Sequence, residues 1–184
     1  AALPRQGQWS AEDYLWLTDH TNRLAEFTAG RIEVLPMPTD MHQSISRHLF
    51  VAFFAFLGPR GGLVQYAPLR VRISPGAFRE PDLVVLRDAR DPRRQDRYWT
   101  GADLVVEIVS PDNPDRDRVE KRRDYAAAGI PEYWIIEPRG ETITVLRLDG
   151  AAYAEHGVFG RGARATAATL AGFAVAVDAV FAAD

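Results

Sequence analysis

The sequence predicts a single α/β domain over residues 1–184, a mixed β-sheet flanked by helices with an N-terminal helix and β-hairpin. Three observations predict it. Two β-branched runs, PDLVVL (residues 81–86) and DLVVEIV (103–109), have the composition of central strands covered on both faces. A helical segment follows the second run and leads into another strand, the order of a right-handed crossover that lays its helix on the sheet. Upstream, two short segments alternate apolar and polar residues around Gly30 and read as a hairpin. No internal repeat, low-complexity tract or linker divides the chain.

Taken in order, Ser10 followed by Asp13 resembles a capping box opening a helix through about residue 17. The hairpin occupies residues 24–27 and 31–35. The turn-rich PMPTD then leads into a helix from about 41 to 57, closed by Gly58. Its second half, LFVAFFAFL (49–57), is apolar on every side, which implies deep burial or a partner surface. Three extended runs follow at 63–73 (broken near Pro68), 81–86 and 103–109. An arginine-rich loop, RDARDPRRQDR, joins the last two. A helix from about 115 to 128 is stopped by Gly129 and Pro131. Strands at 132–137 and 141–148 turn at Arg139 and Gly140, and the tail holds a strand at 173–177 and a short helical end.

Composition bounds function only loosely. The chain has 184 residues, enough for a substantial core, of which 47% are hydrophobic and 26% charged. No apolar run approaches the roughly 18–20 residues of a membrane span, so no membrane partner is expected. The first ten residues carry no charged-then-apolar signal pattern, and cysteine is absent, which excludes disulfides and thiolate metal sites. A cytoplasmic location is the expectation. The net charge of −3 speaks against a protein that merely coats DNA, though not against an enzyme meeting it at one cleft. Of the 22 basic residues only Lys121 is a lysine. Lysine offers a compact charge and a pKa that can shift, where arginine offers neither.

The chemistry concentrates in the strand–loop–strand–helix stretch. Glu107 sits inside an apolar strand and shares a face with Val105 and Val109, so it must find a cation, a metal or a proton. Asp82 opens the neighbouring run on the same face as Glu80 and converges on Glu107 if the strands pair. On the helix, Asp117, Lys121 and Tyr125 recur at i, i+4 and i+8 along one stripe. Two carboxylates and a lysine can bind Mg²⁺, position or deprotonate water and stabilise developing negative charge. A buried Glu–Lys pair that only ties helix to sheet is the alternative.

These motifs resemble a known family. E-P-D (80–82), V-E-I-V-S-P (106–111), D-x-x-x-K-x-x-x-Y (117–125) and G-I-P-E-Y-W-I-I-E-P (129–138) are similar to the Uma-two family of bacterial proteins assigned as restriction endonucleases, within the PD-(D/E)XK nuclease superfamily. L-A-E-F-T-A-G-R-I-E-V (24–34), the Pro38 and His42 spacing and L-A-G-F-A-V-A-V (170–177) extend the resemblance over most of the chain. It implies a restriction-endonuclease-like mixed sheet, DNA as substrate, Mg²⁺ or Mn²⁺ as cofactor, and Asp82 and Glu107 as metal ligands. The acid-x-lysine triplet of the superfamily would put lysine at 109, where this chain has Val109; the resemblance implies that Lys121 takes its place.

Supporting roles are open for Glu26, His42, Glu80, Asp117 and Tyr125. Glu26 matches the family's acid before the hairpin glycine and either completes the metal site or is a solvated strand residue. His42 is expected to cap its helix or support the site indirectly, Tyr125 to pack or hydrogen-bond Lys121, and Ser110 and Asp112 to cap the next helix. The loop arginines Arg87, Arg90, Arg93, Arg94 and Arg97 are interrupted by Asp88, Asp91 and Asp96, which favours a solvated loop over a phosphate grip. Trp99 and Trp134 are expected in the core. A homodimer is reasonable, because two sites cut two strands and the apolar helix could supply the interface. The competing readings are a catalytically inactive binding or assembly module of the same fold, and an enzyme on RNA or another phosphoester.

Overall fold

The computed structural model describes residues 3–182. Its N-terminal helix α1 (Ala11–Asp19) is opened by a reciprocal capping box between Ser10 and Asp13. Strands β1 (Ala25–Thr28) and β2 (Arg31–Val34) form the expected hairpin. Both turn residues, Ala29 (φ 49°) and Gly30 (φ 76°), are left-handed, the geometry whose twist matches the flanking strands. A Cβ at Gly30 would lie 2.7 Å from the carbonyl oxygen of Gly7, so glycine is required there twice over.

Helix α2 (Asp40–Leu57) is capped by Thr39 and runs through Gly58 into a 3₁₀ turn at Gly58–Arg60. Strands β3 (Leu63–Tyr66), β4 (Val71–Ser74), β5 (Ala77–Arg79), β6 (Leu83–Leu86) and β7 (Leu104–Ile108) follow. After β7 the chain makes a wide π-type turn at Arg116–Glu120 that continues into α3 (Lys121–Ala127). The remaining elements are β8 (Glu132–Glu137), β9 (Thr142–Asp149), β10 (Ala152–Phe159), β11 (Arg164–Thr166), β12 (Ala174–Ala176) and α4 (Val177–Phe181).

The main sheet is mixed, with order β10-β9-β8-β7-β6-β3; β7 and β8 are parallel neighbours and the other pairs antiparallel. A four-stranded antiparallel sheet, β2-β1-β5-β4, carries the hairpin, and β11 and β12 form a separate ribbon. Side-chain alternation sorts the central strands onto two apolar layers. Leu83, Val85, Leu104 and Val106 face α2 and the tail, packing with Leu49, Phe53, Trp134 and Phe173. Val84, Leu86, Val105 and Val109 face α3, packing with Tyr125, Tyr133 and Ile135. That two-sided burial explains why both runs lack the polar alternation of a half-exposed strand.

Several expectations are corrected. β5, β10 and β11 were not anticipated. The apolar half of α2 is buried on one face only: Leu49, Phe53 and Leu57 are buried, whereas Val51 and Phe54 are exposed, so of the two readings deep burial holds for that face alone. No side chain caps the helical segment after β7, so Ser110 and Asp112 do not have the role expected of them; Asp112 instead pairs with Arg116. Among the described residues no helix is long and apolar enough to cross a membrane.

Candidate active site

The register of β6 on β7, with Leu83 opposite Val106, extends by one residue to set Asp82 opposite Glu107 on the face toward α3. The backbone locks this arrangement, because the Ile108 amide donates to Asp82 Oδ2 at 2.7 Å. Both acids open into a cleft of about 290 Å³, whose walls also include Glu80, Asp117, Lys121 and His42.

Lys121, the first residue of α3, is buried at the floor of this cleft. Its Nζ lies 2.9 Å from Glu107 Oε1, 3.2 Å from Glu26 Oε1 and 3.3 Å from Asp117 Oδ1. Burial alone would lower the lysine pKa, but Glu107, Glu26 and Asp117 outweigh it and raise the value. The ammonium is therefore fixed. Of the two roles the sequence offers for Lys121, a raised pKa disfavours the proton acceptor and agrees with the positioned cation.

The carboxylates divide by environment. For Glu26 burial favours the neutral form, yet Lys121 and Arg79 hold the pKa down to about 2. Arg79 Nη1 donates to Glu26 Oε2 at 2.8 Å, and the Glu80 amide donates to Glu26 Oε1 at 3.0 Å. A solvated role for Glu26 is thus excluded, since it is 1% exposed. Glu107 goes the other way: burial raises its pKa, Lys121 opposes, and Asp117, Asp82 and Glu26 raise it further. Burial and the charge of Glu26 push Glu80 to about 7, while its Oε2 accepts from the Ala25 amide.

Tyr125 packs in the apolar layer, one of the two roles expected for it, and donates its hydroxyl to Glu107 Oε1 rather than to Lys121. His42 does not cap α2, a role taken by Thr39. Its Nε2 sits 3.1 Å from Asp82 Oδ1, and its buried Nδ1 has no hydrogen-bond partner among the described residues. Burial lowers the imidazole pKa but the bond to Asp82 more than restores it.

Arg79 and Arg116 were missed in the sequence. Arg79 bridges Glu26 to Asp124 on α3, and Arg116 lines the cleft while pairing with Glu33 of β2 at 2.6 Å. A signal for Arg79 existed in its place directly before Glu80-Pro81-Asp82, but its partner lies 53 residues away. The loop arginines stay outside the cleft. Arg93 is bound to Asp91 and Asp103, and Arg97 to Asp19.

The donor set suits a hard divalent cation in kind. Glu26, Glu107 and Asp117 contact one ammonium, with Arg79 engaged behind Glu26 and Asp82 beside Glu107, so hard carboxylate oxygens are concentrated at one end of a cleft that Arg47 and Arg116 also line. Among the described residues no three His, Asp or Glu side chains are arranged as a metal cage. Mg²⁺ does not need one, since it keeps several waters and binds through one or two carboxylates.

No curated protein matches this chain. A crystal structure titled as a putative nuclease belonging to DUF820, from Anabaena variabilis, superposes with a TM-score of 0.75 at 21% identity, covering 88% of this chain and 92% of that one. At that identity the likeness establishes the mixed-sheet fold. A family model described as "Putative restriction endonuclease" matches residues 11–178, and the chain belongs to that family, Uma2.

Proposed function

We propose that the protein is a metal-dependent endonuclease that hydrolyses DNA phosphodiester bonds, with Asp82 and Glu107 as the ligands of Mg²⁺ or Mn²⁺. The observation that carries this reading is the fixed Lys121 ammonium among Glu26, Glu107 and Asp117 on the floor of an open cleft, with Asp82 beside it. When bound, the cation polarises the phosphodiester and offsets charge in the transition state.

The chain's own groups supply the rest. Lys121 holds a positive charge at a set position, able to stabilise the negative charge that develops on phosphate oxygens. Glu26 and Asp117 hold that ammonium in place from two sides, and Arg79 holds Glu26. His42 and the Ile108 amide orient the two oxygens of Asp82. Tyr125 fixes Glu107 from the apolar layer beneath.

A second reading is an inactive module of the same fold. It is favoured by the same ammonium, which three carboxylates already neutralise, and by Val109 at the position where the superfamily resemblance implies lysine. Incubation of supercoiled plasmid with the purified protein and Mg²⁺ or Mn²⁺ separates the two. Nicked or linear product is expected from the wild type, lost on chelation and in Asp82→Asn, which keeps an oxygen for the Ile108 amide. Equal trace cleavage by wild type and Asp82→Asn would mark the activity as contamination and leave the inactive module.

A further inference from the structure

The mouth of the cleft carries side chains for which hydrolysis at the carboxylates has no use. Gln43, Arg47, Phe50 and Phe54 follow one another at helical spacing along α2, and the first three line the cleft. Tyr66, at the end of β3, lines it beside Phe50. Phe50 stacks on Phe54 with centroids 6.0 Å apart and rings inclined by 21°, and it meets Tyr66 edge-on at 5.2 Å. The outer members stay in water, Phe54 at 61% and Tyr66 at 57% exposure. Ordered aromatic rings left open beside a site are the form a recognition surface takes.

We propose that Phe50, Phe54 and Tyr66 form a base-stacking platform for an unpaired DNA strand entering the cleft. The preferred substrate class is then DNA with a single-stranded segment next to the scissile bond. The proposal rests on the nuclease reading above and names its substrate. At a rise of about 1.5 Å per residue, Phe50 and Phe54 stand roughly 12 and 18 Å along α2 from His42. A strand with its scissile phosphate beside Asp82 passes over these rings within about four to five stacked nucleotides, at about 3.4 Å per phosphate. Paired duplex offers side chains its backbone and base edges, whereas an unpaired strand offers base faces, and only those can stack on phenyl rings. The platform is sequence-tolerant for the same reason, since every base has a face. A second copy of the chain suits this surface less well. Phe50 and Tyr66 are walls of the cleft itself, so a copy seated on them closes the mouth, and the stripe turns polar at Arg47 and Gln43 toward the carboxylates.

The test uses the full chain in EDTA at low salt, with fluorescein-labelled single-stranded DNA of mixed sequence and the blunt duplex of that sequence as probes. Anisotropy should show tighter binding of the single strand by the wild type. Phe54→Ala and Tyr66→Ala, both at exposed positions, should each weaken single-strand binding by roughly 5- to 150-fold, the range for losing one base–aromatic stack. Duplex binding should stay unchanged and Tyr66→Trp should restore affinity. Unchanged single-strand binding in both alanine variants overturns the platform, and so does a wild-type dimer in light scattering that Phe54→Ala converts to monomer, which gives the surface to a second copy. Platform-dependent binding without metal-dependent cleavage of any DNA defeats the nuclease reading and leaves the platform standing. Cleavage with unchanged binding in the variants does the reverse.

Discussion

Lys121 touches three carboxylates, and this number decides how the site responds to mutation. Removing Glu107 does not strand the ammonium, because Glu26 and Asp117 remain at 3.2 and 3.3 Å. Glutamine also reproduces the neutral form that burial already favours at 107, and its oxygen can still accept from Tyr125. Glu107→Gln is therefore expected to change stability by less than about 1 kcal/mol, or to raise it through relief of like charge. Lys121→Ala leaves three buried acids facing one another and should cost about 3–5 kcal/mol, as breaking a buried ion pair does. Urea titrations of the two variants check the contrast, and comparable losses would show that the Glu107–Lys121 contact alone carries the cluster. Lys121→Arg should lose cleavage even where it folds, because a planar guanidinium does not fit a seat shaped for a compact ammonium.

At the scale of elements, the strand–helix core of the site was legible because its signals are local. Glu107 breaks an apolar run, and Asp117, Lys121 and Tyr125 keep their four-residue spacing even though the first of them sits in a π-type turn. The parts that were not legible depend on distant pairing. β5 is three residues long, and Arg79 finds Glu26 only when two sequence-distant strands meet. Whether Glu26 was solvated or buried could not be read from β1 alone for the same reason. β10 lies at the sheet edge with most of its residues exposed, so its alternation is too thin to announce a strand.

The arginine-rich loop is also an element, tied down by its own acids. Asp91 accepts from the Arg93 amide, Nε and Nη2, and these bonds hold its carboxyl down to about 2 from an ordinary 3.8. A depressed carboxyl contributes stability above its unfolded pKa and loses it as pH falls through the folded value. Arg93→Ala should lower the melting temperature at pH 6, by roughly 1–2 kcal/mol in stability once the buried Asp103 loses a partner. The gap to wild type should narrow between about pH 4 and pH 2. A gap that stays constant over that window would mean that Asp91 plays no part.

For the whole molecule, the two apolar layers on either face of the main sheet are built without the cleft's carboxylates. Chelation with EDTA should therefore leave the melting curve of the purified protein where it was. Added Mg²⁺ should raise it, by about 2.7 kcal/mol in stability at a hundredfold excess over its dissociation constant, because the ion binds only the folded chain. Asp82→Asn should melt at the same temperature with and without Mg²⁺. A Mg²⁺-induced rise that persists in Asp82→Asn would place the ion elsewhere.

Val109 lies 5% exposed in the same apolar layer as Tyr125, whose hydroxyl holds Glu107. The seat that an acid-x-lysine arrangement would give to a cation is here filled by hydrocarbon, and the cation is delivered from a helix. Without Lys121, Glu26 keeps its partner Arg79, but among the described residues Glu107 and Asp117 are left with no ion pair at all, so the helix-borne cation is what keeps two acids tolerable beside a hydrocarbon layer.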